Sequence, residues 1–191
     1  ANLAKKAIGQ ARSEYEQILK KNPRSARAIH ALATLHRQQN ELDDAVTRYE
    51  GAIEADADHV SSGIELADLL LVVRKDKAKG EAVLAPLMTK EKKAEMGPAE
   101  LGKALALQAE VLVLDSKLQE ALPLFEEALK ADAKNAFAKG RMARVLANLN
   151  QPEKAYPLFR DASTASPDNL EYAEGYLSTL ILLGKMDEAT K

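Results

Sequence analysis

The fold is decided by residues 136–169, AFAKGRMARVLANLNQPEKAYPLFRDASTASPDN, which repeat the pattern of residues 102–135, GKALALQAEVLVLDSKLQEALPLFEEALKADAKN. A shift of 34 residues places Phe125 on Phe159, and it superimposes small, large and turn-forming residues in the same order along most of the chain. Self-similarity at a fixed period is typical of repeat architectures. The sequence therefore predicts a repeat protein.

Each period divides into two predicted helices. Apolar residues recur at helical spacing within 26–39, and Asn40 then interrupts the pattern. The second helix starts with Asp43 and Asp44, where the helix dipole favours acidic side chains. In 136–169 the unit ends at Ser166-Pro167, because proline cannot continue a helix. One repeat is thus a helix–turn–helix unit.

The composition supports an all-α chain and excludes several functions. Hydrophobic residues make up 46% but aromatic ones only 4%, so the core must be mainly aliphatic, and Ala and Leu are strong helix formers. A net charge of −2 provides no global field for nucleic acid or anionic lipid. The absence of cysteine excludes disulfides, thiolate metal sites and cysteine nucleophiles. No apolar stretch approaches the roughly 18 residues of a membrane span.

The positions of small and aromatic residues identify the kind of repeat. A small residue in the first helix is set to face a small residue in the second, and an aromatic residue fills the gap to the next unit. The small residues are Ala33, Ala67, Ala109 and Ala143 in the first helices and Ala45, Ala121, Ala155 and Ala189 in the second, and the aromatic residues are Tyr15, Tyr49, Phe125 and Phe159.

This pattern resembles the tetratricopeptide repeat, a helix–turn–helix unit of 34 residues. The family's large aromatic residue early in the first helix is absent, since Ile29 and Leu105 stand there. The resemblance implies an all-α, right-handed superhelical solenoid of antiparallel helix pairs. Its first helices are expected to line a concave groove.

We interpret residues 1–191 as a single array with one irregular region. Its predicted members are a lone second helix at 3–25, a repeat at 26–59, an irregular repeat at 60–93, an insertion at 94–101, repeats at 102–135 and 136–169, and a truncated repeat at 170–191. In the irregular repeat the second helix is placed at 77–88, one residue late, and Pro86 should kink it. The segment 90–96 is helix-prone, and Gly97-Pro98 should end it and start the next helix.

We expect the native protein to continue past Lys191, because the second helix of the last unit has barely begun there. The four residues that would then lack a covering helix are Tyr176, Leu177, Leu180 and Leu183. This face is expected to fray or to bury itself against another copy, end to end.

No catalytic or metal-binding constellation is found. His30 and His36 lie six residues apart on different helix faces, and His36 occupies a place that holds leucine in other units. Phosphate-binding loops, nucleophile motifs and metal-ligand spacings are absent. The sequence therefore predicts no enzyme activity, no cofactor and no metal.

Helical geometry instead predicts a partner-binding groove. Steps of three and four residues select the side chains opposite the packing positions of each first helix. The candidate residues are Arg27, His30, Arg37, Asp68, Glu110, Arg141, Arg144 and Asn148. Arginines would bind carboxylates of a partner, and Asn148 its backbone amides. Two alternatives stay open. Arg141 and Arg144 could pair with Glu171 and Glu174 of the neighbouring unit, and Arg27 and Arg37 could simply be solvated.

Two functions follow from this interpretation. The first is a non-catalytic interaction scaffold whose groove binds a protein or peptide segment, without nucleic acid and without membrane insertion. The second is a regulatory or substrate-presenting module of a larger enzyme or signalling protein. The presence or absence of a catalytic domain in the full reading frame would distinguish them.

Overall fold

A computed structural model describes residues 2–185, with side-chain surroundings from residue 6 onward. Within these residues the chain is helical and contains no strand. The α-helices are α1 (Asn2–Lys21), α2 (Ala26–Gln38), α3 (Leu42–Ala55), α4 (Val60–Asp68), α5 (Lys77–Leu84), α6 (Lys90–Glu95), α7 (Pro98–Leu114), α8 (Leu118–Ala131), α9 (Ala136–Asn148), α10 (Pro152–Ala165) and α11 (Leu170–Leu182). A π-helical turn, Leu69–Val73, continues α4, and a 3₁₀ turn, Ala85–Met88, continues α5. The predicted all-α helical-repeat fold is confirmed.

The chain divides into two compact units, residues 1–87 and 88–191. In unit 1, α1 packs on α2, and α2 pairs with α3. Ala33 and Ala45 are completely buried between the paired helices, and the Tyr49 ring is completely buried beside them against α4. Small residues therefore let two helices approach closely while one large ring fills the gap to the next helix.

Unit 2 repeats this packing twice. Helix α7 pairs with α8, α9 pairs with α10, and α11 packs on α10. Phe125 is fully buried in a cluster with Ala109, Ala121 and Ala128. Phe159 takes the same part in the following repeat. The predicted packing roles of these residues are confirmed.

The turns between first and second helices share one backbone conformation. The turn residues Asn40, Asn150 and Gly184 all have positive φ, between 57° and 65°, as does Ser116. After Asn40, the amide of the next residue donates to the carbonyl of His36 at 2.9 Å, and the equivalent bond recurs in the other three turns. This left-handed residue closes the helix and satisfies its terminal carbonyls.

The irregular repeat has a physical explanation that the sequence did not reveal. The backbone N–H of Arg74 donates to the carbonyl of Leu69 at 3.0 Å, which is an i→i−5 bond. A π turn holds one residue more than the α-helical turn it replaces. The left-handed turn residue is consequently Lys75, and the second helix begins one residue late, as its packing pattern indicated. The α-helix then ends at Leu84, where Pro86 enters the 3₁₀ turn.

The segment before α7 is mostly helical. Thr89 caps α6 through a hydrogen bond from the Lys92 amide to its hydroxyl, and Gly97 precedes the proline that starts α7. The helix-prone segment 90–96 thus forms a helix at Lys90–Glu95, and Gly97-Pro98 separates it from α7, as expected.

The last helix corrects one prediction. Leu180 is completely buried, because α11 packs against α10 and α9, so it does not lack cover. Leu177 is 48% exposed, whereas Tyr176 and Leu183 are half-buried. The predicted start of a further helix, with Ala189, lies outside the described residues.

Candidate partner-binding surface

The eight candidate residues lie on first helices, in both units. Arg27, His30 and Arg37 are on α2, and Asp68 ends α4 in unit 1. In unit 2, Glu110 is on α7, and the remaining three are on α9. These three are Arg141, Arg144 and Asn148.

A buried ion-pair network joins three first helices of unit 2. The side chain of Arg141 is 3% exposed and that of Glu110 only 1%. The Arg141 guanidinium donates from Nε to Glu110 at 2.8 Å and from a second nitrogen to the other carboxylate oxygen. It also donates to Glu171 on α11 at 3.3 Å, and it lies 5.9 Å from the ring centre of Phe137. The network thus ties α7, α9 and α11 together.

The edge of this network is open to solvent. Arg144 contacts Glu171 at 2.7 Å, and their side chains are 36% and 40% exposed. Asn148 and Glu174 are exposed, and neither has a hydrogen-bond partner within the described residues. The alternative that Arg141 and Arg144 pair with an acidic residue of the neighbouring repeat is therefore confirmed for Glu171, which both contact, and not for Glu174.

Unit 1 carries a related contact between α2 and α4. Arg37 donates to Glu65 at 2.6 Å and also to Asp68, which is buried. Burial of the guanidinium opposes its charge, but the two carboxylates outweigh this effect, and the pKa of Arg37 is raised. Arg37 is thus paired rather than simply solvated, whereas Arg27 is exposed, with no partner among the described side chains.

His30 belongs to a polar cluster that the sequence did not predict. The Ser62 hydroxyl is completely buried and lies 3.0 Å from Nδ1 of His30 and 2.8 Å from Nδ1 of His59. The His59 ring also caps α4 by accepting from the Ser62 amide. The Tyr49 hydroxyl lies 3.2 Å from that of Thr34, and burial raises the pKa of Tyr49. This cluster connects α2, α3 and α4.

His36 lies in a surface network. Its Nδ1 is 2.7 Å from a carboxylate oxygen of Glu41, and Arg12 contacts the same oxygen at 3.2 Å. The hydrogen bond from His36 and the Arg12 contact lower the pKa of Glu41. Asp44 brings a third possible metal-ligand atom within 4.8 Å of these two groups. Because Arg12 already neutralises Glu41, we assign no metal to this group.

Two features of this surface were missed because each depends on pairing across a period. The ion pairs of Arg37 with Asp68 and of Arg141 with Glu110 both span 31 residues. A search for oppositely charged residues 31 positions apart, which is one period of 34 less about one helical turn, would have found both pairs. The cap formed by His59 is harder to predict, because histidine is not among the preferred N-cap residues. The matching positions of other repeats hold preferred ones, Ser25, Asn135 and Asn169.

None of the described helices has both the length and the apolar character needed to cross a bilayer. Stacked helix pairs with a shared packing rule define a helical-repeat protein. The chain belongs to the tetratricopeptide repeat family, whose sequence profile matches residues 2–66 and 112–174, more than half of its length. No curated protein sequence matches the chain.

Several solved structures share the fold. YrrB, described as a TPR protein with an unusual peptide-binding site, is 19% identical, with a TM-score of 0.56 over 90% of this chain and 84% of its own. The pilF protein of Pseudomonas aeruginosa is 17% identical, with a TM-score of 0.71 over 98% and 82%. The human IFIT1 dimer with m7Gppp-AAAA is 12% identical, with a TM-score of 0.74 over 96% and 44%. At these identities the likeness concerns the fold alone.

Proposed function

We propose that this protein is a non-catalytic interaction module that binds a segment of a partner protein across the first-helix face of unit 2. This face is formed by α7, α9 and α11. The observation that carries the proposal is the open edge of the ion-pair network, where Arg144 is partly exposed and Asn148 has a free amide side chain. Both groups suit a peptide, because an amide bonds backbone donors and acceptors and a guanidinium bonds carboxylates.

The other charged residues of the face have a supporting role in this proposal. Arg141 and Glu110 are buried in each other's contact, and they hold α7 and α9 at a fixed spacing. Arg37 and Asp68 do the same for α2 and α4 in unit 1. A binding face of constant spacing is preorganised, and preorganisation lowers the entropic cost of binding.

A protein partner fits this face better than a nucleic acid. Phosphate binding relies on unpaired lysine and arginine side chains. On this face the Arg141 guanidinium is buried against Glu110, so of the two arginines of α9 only Arg144 is open to a ligand. The chain also has a net charge of −2. The proposal is supported by the YrrB structure, a TPR protein described with a peptide-binding site.

Site-specific photocrosslinking in the source cells tests the proposal. A photoreactive phenylalanine replaces Asn148 in one variant of the full-length protein and Arg160 in the other. Arg160 is an exposed residue of the second helix α10 and serves as the matched control. We expect a discrete protein adduct from position 148 alone. Adducts of equal yield from both positions, or an RNA adduct at 148, would contradict the proposal.

A further inference from the structure

Unit 1 contains a pocket of about 390 Å³ between α1, α2 and α3. Leu19, Pro23 and Ile29 provide its apolar wall, and α3 lines the other side with Asp44, Thr47, Arg48 and Gly51, of which Gly51 contributes no side chain. The volume lies within the range of ordinary ligand pockets, roughly 300–1,000 Å³. It is large enough to admit a bulky side chain of another molecule.

In the repeat formed by α9 and α10, the matching place holds an ion pair. The α2–α3 and α9–α10 repeats correspond position by position. Ser25 and Asn135 cap their first helices, and Asn40 and Asn150 are their left-handed turn residues. The residues in the places of Ile29 and Gly51 are Lys139 and Asp161. The Lys139 ammonium donates to Asp161 at 3.0 Å, so two side chains extend across the space that stays open in unit 1.

Packing does not require the glycine at position 51. A Cβ atom there would lie 3.8 Å from Cγ2 of Ile29, which is ordinary van der Waals contact. At Gly140, by contrast, a Cβ atom would lie 2.2 Å from the Tyr172 ring, so that glycine is needed for close helix packing. Gly51 therefore keeps the pocket open without serving the packing of its own helix.

The rim of the pocket carries an acceptor, Asp44, and a donor, Arg48, whereas the Thr47 hydroxyl already donates to the carbonyl of Asp43. Asp44 and Arg48 lie one helical turn apart on α3, and both are exposed. Neither has a hydrogen bond or ion pair within residues 2–185. A peptide backbone offers the complementary pair, an N–H and a C=O, on either side of each side chain. A simple hydrocarbon or a lone carboxylate would use only one part of this arrangement.

We propose that this pocket binds a leucine-sized apolar side chain from an extended segment of a partner protein. Arg48 donates to a backbone carbonyl of that segment, and Asp44 accepts a backbone N–H. The site is distinct from the α7–α9–α11 face, and it does not depend on the function proposed for unit 2.

Titrations of the full chain with three small probes separate the contribution of the apolar side chain from that of the peptide backbone. They are N-acetyl-L-leucine N-methylamide, N-acetyl-L-serine N-methylamide and 3-methyl-1-butanol, followed through the ¹³C methyl signals of Leu19 and Ile29. We expect saturable shifts with the capped leucine, with a dissociation constant on the order of millimolar, as befits a ligand of this size. The serine probe lacks the apolar group, and the alcohol lacks the backbone, so each should bind at least about fivefold more weakly.

The matched variants come from the other unit of the same chain. Ile29→Lys with Gly51→Asp should rebuild the ion pair of Lys139 and Asp161, close the pocket and abolish the shifts. Arg48→Leu introduces the residue found at the matching position, Leu158, and should weaken the capped leucine but not the alcohol. Gly51→Leu, which fills the pocket with its own side chain, provides a second closed variant if the double variant is misfolded by circular dichroism.

Saturable binding of the capped leucine that both closed variants lose supports the proposed pocket. It is overturned if the capped leucine produces no saturable shift, if 3-methyl-1-butanol binds as well as the capped leucine, or if a folded closed variant binds as tightly as the native chain.

Discussion

Arg141 on α9 and Glu110 on α7 are 31 residues apart in the chain and form a buried ion pair between successive first helices. Arg37 and Asp68 form the corresponding contact in unit 1, again across 31 residues. Charged residues that were predicted to bind a partner therefore hold neighbouring repeats together. Their exposed neighbours, Arg144 and Asn148, are the residues that can reach a partner without breaking the fold.

Arg141→Met should lower the free energy of unfolding by about 3–5 kcal/mol, because Glu110 would be left buried without its arginine. Arg144→Met should cost less than about 1 kcal/mol, since its ion pair is partly exposed. The double variant Arg141→Met with Glu110→Leu should recover most of the loss. Urea unfolding of the three variants measures these values, and a similar cost for Arg141→Met and Arg144→Met would show that burial does not decide the effect.

Phe125→Ala should destabilise the protein by roughly 3–5 kcal/mol, because the ring is completely buried among alanines that cannot close the cavity. Phe137→Ala is the matched control, since that ring is only half-buried and its loss should cost clearly less. Ala121→Leu should cost about 1–3 kcal/mol by overpacking the contact between α7 and α8. Unchanged urea midpoints for Phe125→Ala and Ala121→Leu would contradict the repeat register.

Gly140→Ala should destabilise unit 2 by about 1–3 kcal/mol, because its Cβ atom would lie 2.2 Å from the Tyr172 ring. Gly9→Ala on α1 is the control, with no atom within 4 Å of its new Cβ. That change should instead stabilise the helix, by up to about 1 kcal/mol. Thermal unfolding of both variants should shift in opposite directions, and a stabilising Gly140→Ala would show that α9 and α11 are less closely packed than described.

Lys139→Met should raise the pKa of Asp161. The hydrogen bond from Lys139 lowers that pKa the most, and the hydrogen bond from Arg160 lowers it less. Arg160→Met should raise the pKa less. A lowered pKa means that Asp161 stabilises the fold above the pH at which it ionises when unfolded. This stabilisation disappears as the pH falls through the folded pKa. Carboxyl NMR titrations measure both shifts, and a larger effect of Arg160→Met would contradict this order.

The helix pairs could be predicted from the sequence because each depends on local periodicity. Ala45, Tyr49 and Ala52 define one face of a single helix, and their spacing alone indicates what they pack against. The extra residue of the irregular repeat was visible only as a late packing pattern. Its cause is the π turn at Leu69–Val73. This turn is defined by which carbonyl accepts each backbone N–H, and the residue types do not specify that pattern.

The candidate site was less predictable, because charge pairing acts between helices. Helical steps placed Arg141 and Arg144 on the same face, but they could not show that Arg141 is buried and Arg144 partly open. The distinction arises from Glu110 and Glu171 on the neighbouring helices. The pocket beside Gly51 was equally hidden, since a missing side chain leaves no pattern of its own.

We propose that a partner segment binds across the α7–α9–α11 face through its exposed polar edge. The most direct measurement is the dissociation constant of the partner segment identified by crosslinking at position 148, for Arg144→Glu and for the control Arg160→Glu at the same ionic strength. We expect that Arg144→Glu weakens binding about tenfold or more, that Arg160→Glu changes it less than about twofold, and that both variants fold. Equal affinity of the two variants would contradict it.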